Sequence, residues 1–239
     1  MKTLVLFLAT VCIFFILAPV VEGQQQQHLK CYFFDPVEWG QGQSLTLQVI
    51  GKKLGSVESV QVIPAEGMTI GSPKETTLTS AEAKRGRTGW DIPITVGKDA
   101  VLGERTVRVT TAEGAIEKKI SVVARVPIIS DLKIKSNTAS MFASHVEFEL
   151  AIVDAASGLP PKMEAQVGVE RGGPALFKLG LVWYRVKLKD VAPIEGGGKL
   201  MSGTFTVNGQ AMGSYWDFQV YVRDKDKRNS NTLRTMVTW

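Results

Sequence analysis

Three residues with metal-binding side chains, His145, Glu147 and Glu149, alternate along one stretch of the sequence. Because successive side chains of a β-strand point to opposite faces, these three would share one face of a strand. A zinc site needs three or four convergent ligands, and the only other histidine of the chain, His28, lies far away in sequence. We therefore interpret them as part of a salt-bridged surface strand and expect no bound metal.

A second group of oxygen ligands, Asp224, Asp226, Asn229 and Asn231, lies within one short segment. Such side chains bind calcium when an EF-hand loop arranges them. Here Arg228 stands at the fifth position, where the EF-hand needs another oxygen ligand, and flanking lysines oppose a cation. The pattern indicates a solvated hairpin loop rather than a calcium site.

The motifs of the common catalytic sites are missing from the sequence. It contains no Gly-x-Ser-x-Gly, no His-Glu-x-x-His and no cysteine and histidine suited to nucleophilic catalysis. The segment Gly40-Gln41-Gly42 lacks the third glycine and the following helix of a dinucleotide-binding loop. We predict a non-catalytic protein without a cofactor, with an unrecognised pair of catalytic carboxylates as the alternative.

The tryptophans differ in their position within the apolar pattern. Trp90 and Trp216 share the parity of apolar strand residues and are expected in a core. Trp183 falls on the polar parity of its strand, and Trp39 lies in a turn region, so both are expected to be exposed. Exposed aromatic side chains mark partner surfaces. We predict Trp183 and Trp39 as candidate partner-binding residues.

The amino terminus has the pattern of a removable export signal. Lys2 precedes an apolar run from Leu4 to Val21, and Val21-Glu22-Gly23 suits a signal peptidase. Cleavage after Gly23 would place the protein outside the cytoplasm. An uncleaved membrane anchor is the alternative, because the run reaches the lower length limit of a membrane span.

The expected cleavage also decides how cysteine is used. Cys12 leaves with the signal, so Cys31 is the single cysteine of the mature chain and an intrachain disulfide is excluded. Cys31 either pairs with another chain as an intermolecular thiol, or packs as a small buried hydrophobe beside Tyr32, Phe33 and Phe34.

The charge pattern argues against a nucleic-acid-binding protein. The chain has 28 lysines and arginines against 23 aspartates and glutamates, which gives a net charge of +5 spread evenly along it. The densest basic segment, Lys84-Arg85-Gly86-Arg87, fits a solvated loop and is too short for a basic stripe.

Apolar and polar residues alternate through most of the chain, as at Leu45, Leu47 and Val49. Such alternation is typical of half-buried strands, and the glycines and prolines between the runs mark turns. Strands at this spacing, without a convincing helix, predict an all-β sandwich. The acidic outward face of residues 145–149 and the basic outward face of residues 183–189 predict that these strands are neighbours in one sheet.

Each half also carries a family resemblance. In the first, Asp35–Leu47 is followed by the turn Gly51-Lys52-Lys53-Leu54-Gly55, and Asp99–Thr111 continues to Gly114. This pattern of turn glycines and a late hairpin resembles the IPT/TIG family of immunoglobulin-like domains. The resemblance implies an immunoglobulin-like sandwich over residues 30–124.

The second half has Val153–Gly158 at a strand exit and Tyr221–Asp226 before the final strand. It resembles bacterial immunoglobulin-like and fibronectin-III-like sandwiches. The resemblance implies a fold and no particular activity.

The sequence thus predicts an all-β protein with two tandem immunoglobulin-like β-sandwiches behind an amino-terminal signal peptide. The expected boundaries are a signal peptide at 1–23, a polar segment at 24–29, sandwiches at 30–124 and 129–239, and a linker at 125–128.

We interpret the protein as an exported, non-catalytic binding or structural protein of a bacterial cell envelope, located in the periplasm, at the cell surface or outside the cell. It would serve as an accessory subunit, a scaffold or an adhesion-type module, with another envelope protein or a second copy of itself as partner. A polysaccharide-binding module and a self-assembling surface or filament subunit are the alternatives. No nucleic-acid partner is expected, and membrane contact only if the signal stays uncleaved.

Overall fold

The structure, a computed structural model, describes residues 29–139, 143–154, 163–172, 181–195, 198–208 and 215–238. These residues form β-strands almost throughout, which confirms the predicted all-β class. The buried apolar side chains form two clusters, the first drawn from residues 39–122 and the second from residues 129–237. Within the part of the chain that the structure describes, no helix has the length and apolarity that crossing a membrane requires.

The first cluster lies between two sheets. The elements around it are β1 (Lys30–Asp35), β2 (Glu38–Gly40), β3 (Ser44–Lys52), β4 (Val57–Ile63), β5 (Met68–Ile70), β6 (Lys74–Glu75), α1 (Ser80–Lys84), β7 (Arg87–Val96), β8 (Gly103–Thr111) and β9 (Gly114–Val123). One sheet has the order β1-β3-β7-β5, with β6 also paired to β7, and the other has the order β2-β9-β8-β4. Alternate apolar residues of β3 and β7, such as Leu47, Val49, Ile92 and Ile94, are buried between them.

The second cluster is enclosed by seven strands. They are β10 (Ile128–Ala139), β11 (Ala143–Asp154), β12 (Glu164–Gly172), β13 (Val182–Pro193), β14 (Lys199–Asn208), β15 (Tyr215–Val222) and β16 (Leu233–Thr238). Their order is β10-β11-β14-β13-β12-β15-β16, because β13 pairs with β12 through its first half and with β14 through its second. Phe148 and Phe218 pack edge-on against Phe205, with ring centroids 6.1 and 5.4 Å apart.

Both halves have the strand order of an immunoglobulin-like sandwich. In that fold the first, second, fifth and fourth strands form one sheet, and the third, sixth and seventh form the other. The sets β1-β3-β7-β5 and β4-β8-β9 have this order in the first half. The sets β10-β11-β14-β13 and β12-β15-β16 have it in the second.

The predicted exposure of Trp39 is wrong. Trp39 is fully buried in the first core, and its Nε1 donates a hydrogen bond to the carbonyl of Pro36 at 2.8 Å. The segment that looks like a turn in the sequence is the short strand β2, which crosses from one sheet to the other and pairs in parallel with β9, Trp39 opposite Val122. This crossing carries the indole inward, so Trp39 cannot belong to a partner surface.

The predicted neighbours in the second half are also wrong. Residues 145–149 lie in β11 and residues 183–189 in β13, but β14 separates these strands. Glu149 pairs instead with Lys135 of β10 at 3.2 Å. An exposed cross-strand ion pair contributes only about 0.2–1 kcal/mol, so it does not decide strand order against the packing of a core.

Candidate binding site at the junction of the two halves

The outer faces of β12, β15 and β16 lie against the first half and are joined to it by charged groups. Asp217 of β15 accepts hydrogen bonds from the Arg85 guanidinium at 2.9 Å and from the Thr79 hydroxyl at 3.0 Å. Glu170 of β12 lies 3.2 Å from the same guanidinium. Arg85 follows α1 directly, so the end of this short helix lies at the junction of the two halves.

A second ion pair at this junction is buried on both sides. The Arg234 guanidinium of β16 contacts the Glu82 carboxylate of α1, and each side chain is only 6% exposed. Glu82 also accepts a hydrogen bond from the Thr79 amide at 2.9 Å, and Arg234 donates through Nε to the Gln48 side chain at 3.3 Å. The face of Phe33 covers the guanidinium at 4.8 Å. This network joins α1 and β3 of the first half to β16 of the second.

The segment between the halves is clamped as well. The Gln43 side chain bonds both main-chain groups of Val126, donating to its carbonyl at 3.0 Å and accepting from its amide at 3.1 Å. The Asn231 side chain holds Ile129 in the same two-sided way, at 2.9 and 3.0 Å. Side chains of both halves therefore bind the main chain of this segment, which restrains it compared with a flexible linker.

The segment 224–231, predicted as a solvated hairpin loop, is part of this junction. Asp224 accepts hydrogen bonds from the amides of Asp226 and Arg228, both at 2.9 Å. Arg228 donates to the carbonyl of Arg125 at 2.7 Å, and the Asn229 amide donates to Glu38 at 2.7 Å. The Asp224 carboxylate therefore shapes the loop, and the other bonds attach the loop to the first half and the linker. Among the described residues, no group of three or more potential metal ligands occurs.

An aromatic groove with a volume of about 300 Å³ opens on one side of the junction. Its rings come from β1 of the first half and from β13 and β15 of the second, and its polar groups include Gln219 and Asn229. The rings are Tyr32, Phe33, Phe34, Trp183 and Tyr221. Trp183 is 45% exposed, as expected, so its predicted place at the surface fits the structure.

Trp183 owes its position to Gly168 on the neighbouring strand. The two residues face each other across β12 and β13, and a side-chain Cβ at position 168 would lie 2.9 Å from the indole ring. The missing side chain lets the indole lie across β12 and meet Tyr221 edge-on, with ring centroids 5.4 Å apart. Neither the glycine nor the tyrosine was expected from the sequence, because they meet Trp183 only through strand pairing.

A larger opening, the junction cleft, has a volume of about 960 Å³. It is bounded by β3 and β7 of the first half, by the segment 126–128 and by β16 of the second half. Most of its polar groups are neutral hydroxyls and amides, among them Ser44, Thr46, Thr95 and Thr235. Ligand sites often occur where two domains meet, and this volume lies in their usual range.

Asp35 lies where the aromatic groove and the junction cleft meet, and it lines both. Its carboxylate accepts a hydrogen bond from the Thr232 amide at 2.7 Å. Burial raises the pKa of Asp35 from 3.8 to about 6, although the Thr232 bond and the Arg234 charge act in the opposite direction. Burial also raises the pKa of Asp217.

The raised pKa of Asp35 predicts a pH dependence of stability. The folded protein holds this proton more tightly than the unfolded chain, so Asp35 favours folding below about pH 4 and loses that contribution as pH rises through about 6. Asp35→Asn keeps an acceptor for Thr232 and is expected to raise the free energy of unfolding at pH 7 by about 1–3 kcal/mol.

Urea unfolding between pH 3.5 and 8 measures this effect, with Asp99→Asn at an exposed site as the control. The difference between Asp35→Asn and the wild type should be small at pH 3.5 and grow up to about pH 6. A difference that stays constant over this range would contradict the assignment.

Cys31 is half-buried on β1, and its thiol donates a weak hydrogen bond to the carbonyl of Phe33 at 3.4 Å. Burial raises the pKa of the thiol, while Lys118 lowers it to a smaller extent. A thiol with a raised pKa reacts slowly. The predicted intermolecular disulfide stays a prediction.

The residues of β11 considered as zinc ligands, and the core tryptophan Trp216, line neither the aromatic groove nor the junction cleft. His145 shares a hydrogen bond with Thr206 at 2.9 Å, and Glu147 accepts one from Ser136 at 3.2 Å. Trp216 is buried in the second core, as expected. His28 and the whole predicted signal, residues 1–23, lie outside the described residues.

No family model and no curated protein matches the sequence. Among solved structures, the chain is similar to the titin domains Z1Z2 in complex with telethonin, at 11% identity, over 88% of this chain and 98% of that chain, with a TM-score of 0.22. It is also similar to Rst D1-D2, at 12% identity over 87% and 99% of the two chains, with a TM-score of 0.25. The native conformation of Escherichia coli alpha-2-macroglobulin matches at 13% identity over 88% of this chain and 14% of that chain, with a TM-score of 0.27. Similarities this low carry no argument about the function of this chain.

Proposed function

We propose that the protein is an exported, non-catalytic binding or structural protein of the cell envelope. It acts as an accessory subunit, a scaffold or an adhesion-type module that holds a partner protein. Its two immunoglobulin-like sandwiches span residues 30–124, of the IPT/TIG type, and residues 129–239, and the linker at 125–128 joins them. The strand order of each half and the two separate cores support this division.

The observation that carries the proposal is the exposed apolar surface at the aromatic groove. Leu181 and Trp183, two positions apart and both close to Gly168 of β12, lie on one side of the sheet, and each is more than two-fifths exposed. Tyr32, across the groove on β1, is exposed to a similar extent. Tryptophan and tyrosine are the residues that most often dominate binding energy at protein interfaces. The clamped junction keeps the two walls of the groove in place, so a partner would meet a preformed surface.

The groove favours a polysaccharide as the second candidate ligand. The exposed face of Trp183 offers an apolar surface on which a sugar ring can stack. Gln219 and Asn229 place amide groups in the same groove, where sugar hydroxyls would need hydrogen-bond partners. A glycan would therefore use the same residues as a protein partner, and the two must be separated by experiment.

A photo-crosslinking amino acid at position 183 tests the proposal in cells of the native host. We expect it to capture one protein partner, whereas the same group at Leu102, an exposed apolar residue of the first half, should not. Trp183→Ala should weaken binding of the captured partner about 10- to 30-fold, since it removes the central ring of the surface.

The competing outcomes are distinct. Binding of the purified protein to an oligosaccharide array, lost in Trp183→Ala, with no protein captured at position 183, would favour the glycan. Equal capture at positions 183 and 102 would contradict a specific surface. Amino-terminal sequencing of the protein from its host tests the export signal separately, by the expected start at Gln24.

A further inference from the structure

One end of β3 lacks a neighbour on the edge next to β1. The pairing of β1 with β3 runs from Lys30 opposite Lys52 to Asp35 opposite Gln48. Beyond Asp35 the chain crosses to the other sheet, where β2 pairs with β9. Among the described residues, the segment Ser44–Leu47 therefore pairs only with β7.

Two hydrogen bonds show which main-chain groups point to this open edge. In an antiparallel strand, the N–H and C=O of one residue point to the same side, and the side alternates along the chain. The Gln43 carbonyl accepts from the Val96 amide of β7 at 2.9 Å, so the groups of Ser44 and Thr46 point away from β7. The position of Pro93 opposite Thr46 supports this orientation. The Pro93 carbonyl accepts a hydrogen bond from the Gly71 amide at 2.8 Å, on the side of β7 that faces away from β3.

The junction cleft lies against this open edge. It contacts every residue of the segment 43–46 and every residue of 231–236. Ser44 and Thr46, whose main-chain groups point away from β7, line the cleft together with Asp35 and Pro36, where the line of β1 ends. The cleft thus extends from the outer face of β3 and β7 to the open edge of β3, and β16, which pairs only with β15 within the described chain, lines it from the second half.

The chemistry of the cleft matches a polypeptide main chain. Its lining residues, all of them described, include no aromatic ring on which a sugar could stack. Its charged groups already have partners. Arg234 pairs with Glu82, Asp91 accepts a hydrogen bond from the Gln48 side chain, and Asp35 accepts one from the Thr232 amide. A ligand therefore meets neutral hydroxyls, amides and two residues of open main chain, which is what an added strand pairs with.

We propose that the junction cleft binds an extended segment of a partner polypeptide, which adds as a strand to Ser44–Leu47 and continues the line of β1. Its main chain exchanges hydrogen bonds with Ser44 and Thr46, and its outer side packs against β16. Four residues of β3 are about 13 Å long at 3.3 Å per residue, so a short peptide fills the edge. The site adjoins the aromatic groove at Asp35 but does not include Trp183.

A library of linear nonapeptides displayed on phage, selected against the purified full chain, supplies the probe. We expect selected peptides to lose about tenfold in affinity when alternate amides are N-methylated, and to lose little when the amides between them are methylated. Bound peptide should also slow hydrogen exchange at the Ser44 and Thr46 amides. Both measurements use the wild-type protein.

Substitutions at Thr46 test the edge from the protein side. Thr46→Pro removes the N–H that points into the cleft and leaves the bonds to β7, so it should abolish peptide binding. Trp183→Ala should bind as the wild type does, and Thr46→Ala, which keeps the main chain and loses only a side-chain hydroxyl, should lose far less affinity than Thr46→Pro. The proposal would be overturned if no peptide were enriched, or if the protein bound a glycan or itself in place of a peptide. It would also be overturned if Thr46→Pro bound peptide as well as the wild type does, or if N-methylation had the same effect at every amide.

Discussion

Replacing Trp39 with alanine is expected to lower the free energy of unfolding by about 3–5 kcal/mol. Trp39 is among the largest fully buried side chains of the first core, and its truncation leaves a cavity between two sheets. The substitution also leaves the Pro36 carbonyl without its indole donor. Urea unfolding followed by circular dichroism measures the change.

Trp183→Ala is the matched control for this prediction, since it removes the same side chain from an exposed site. Its cost is expected to stay below about 1 kcal/mol. If both variants were destabilised equally, Trp39 would not have the buried position described here, and the crossing of β2 to the second sheet would be in doubt.

Arg234→Met is expected to destabilise the protein by about 3–5 kcal/mol, because it leaves the buried Glu82 carboxylate without its cation. The loss should appear first as separation of the two halves, because the pair joins β16 to α1. Differential scanning calorimetry should therefore show a lower or a divided transition, and small-angle scattering should show a more extended particle.

The double variant Arg234→Met, Glu82→Leu should recover much of this loss, since it removes both buried charges together. Lys199→Ala breaks a largely exposed ion pair with Asp190 and should change stability by less than about 1 kcal/mol. If Arg234→Met behaved like Lys199→Ala, the junction would be solvated and the halves free to move.

Part of the candidate site could be predicted from the sequence, and part could not. Trp183 was recognised as exposed because its parity is opposite to that of its apolar neighbours, and parity is visible within one strand. Its contacts with Gly168 and Tyr221 depend on the order of three strands. The ion pair of Glu82 and Arg234 joins residues 152 positions apart, and no local pattern marks it.

The amino-acid sequence is sufficient to predict the all-β class and the apolar face of strands such as β3, because side-chain alternation is a property of each strand alone. It also determined the turns, where glycine and proline restrict or free the main chain. The tertiary structure was needed to show that Trp39 is buried, that β14 separates β11 from β13, and that the two halves meet over charged groups. Those outcomes depend on which strands pair across long distances in the chain. That choice is made by the packing of whole cores, against which a single charge pair or a single turn residue contributes little.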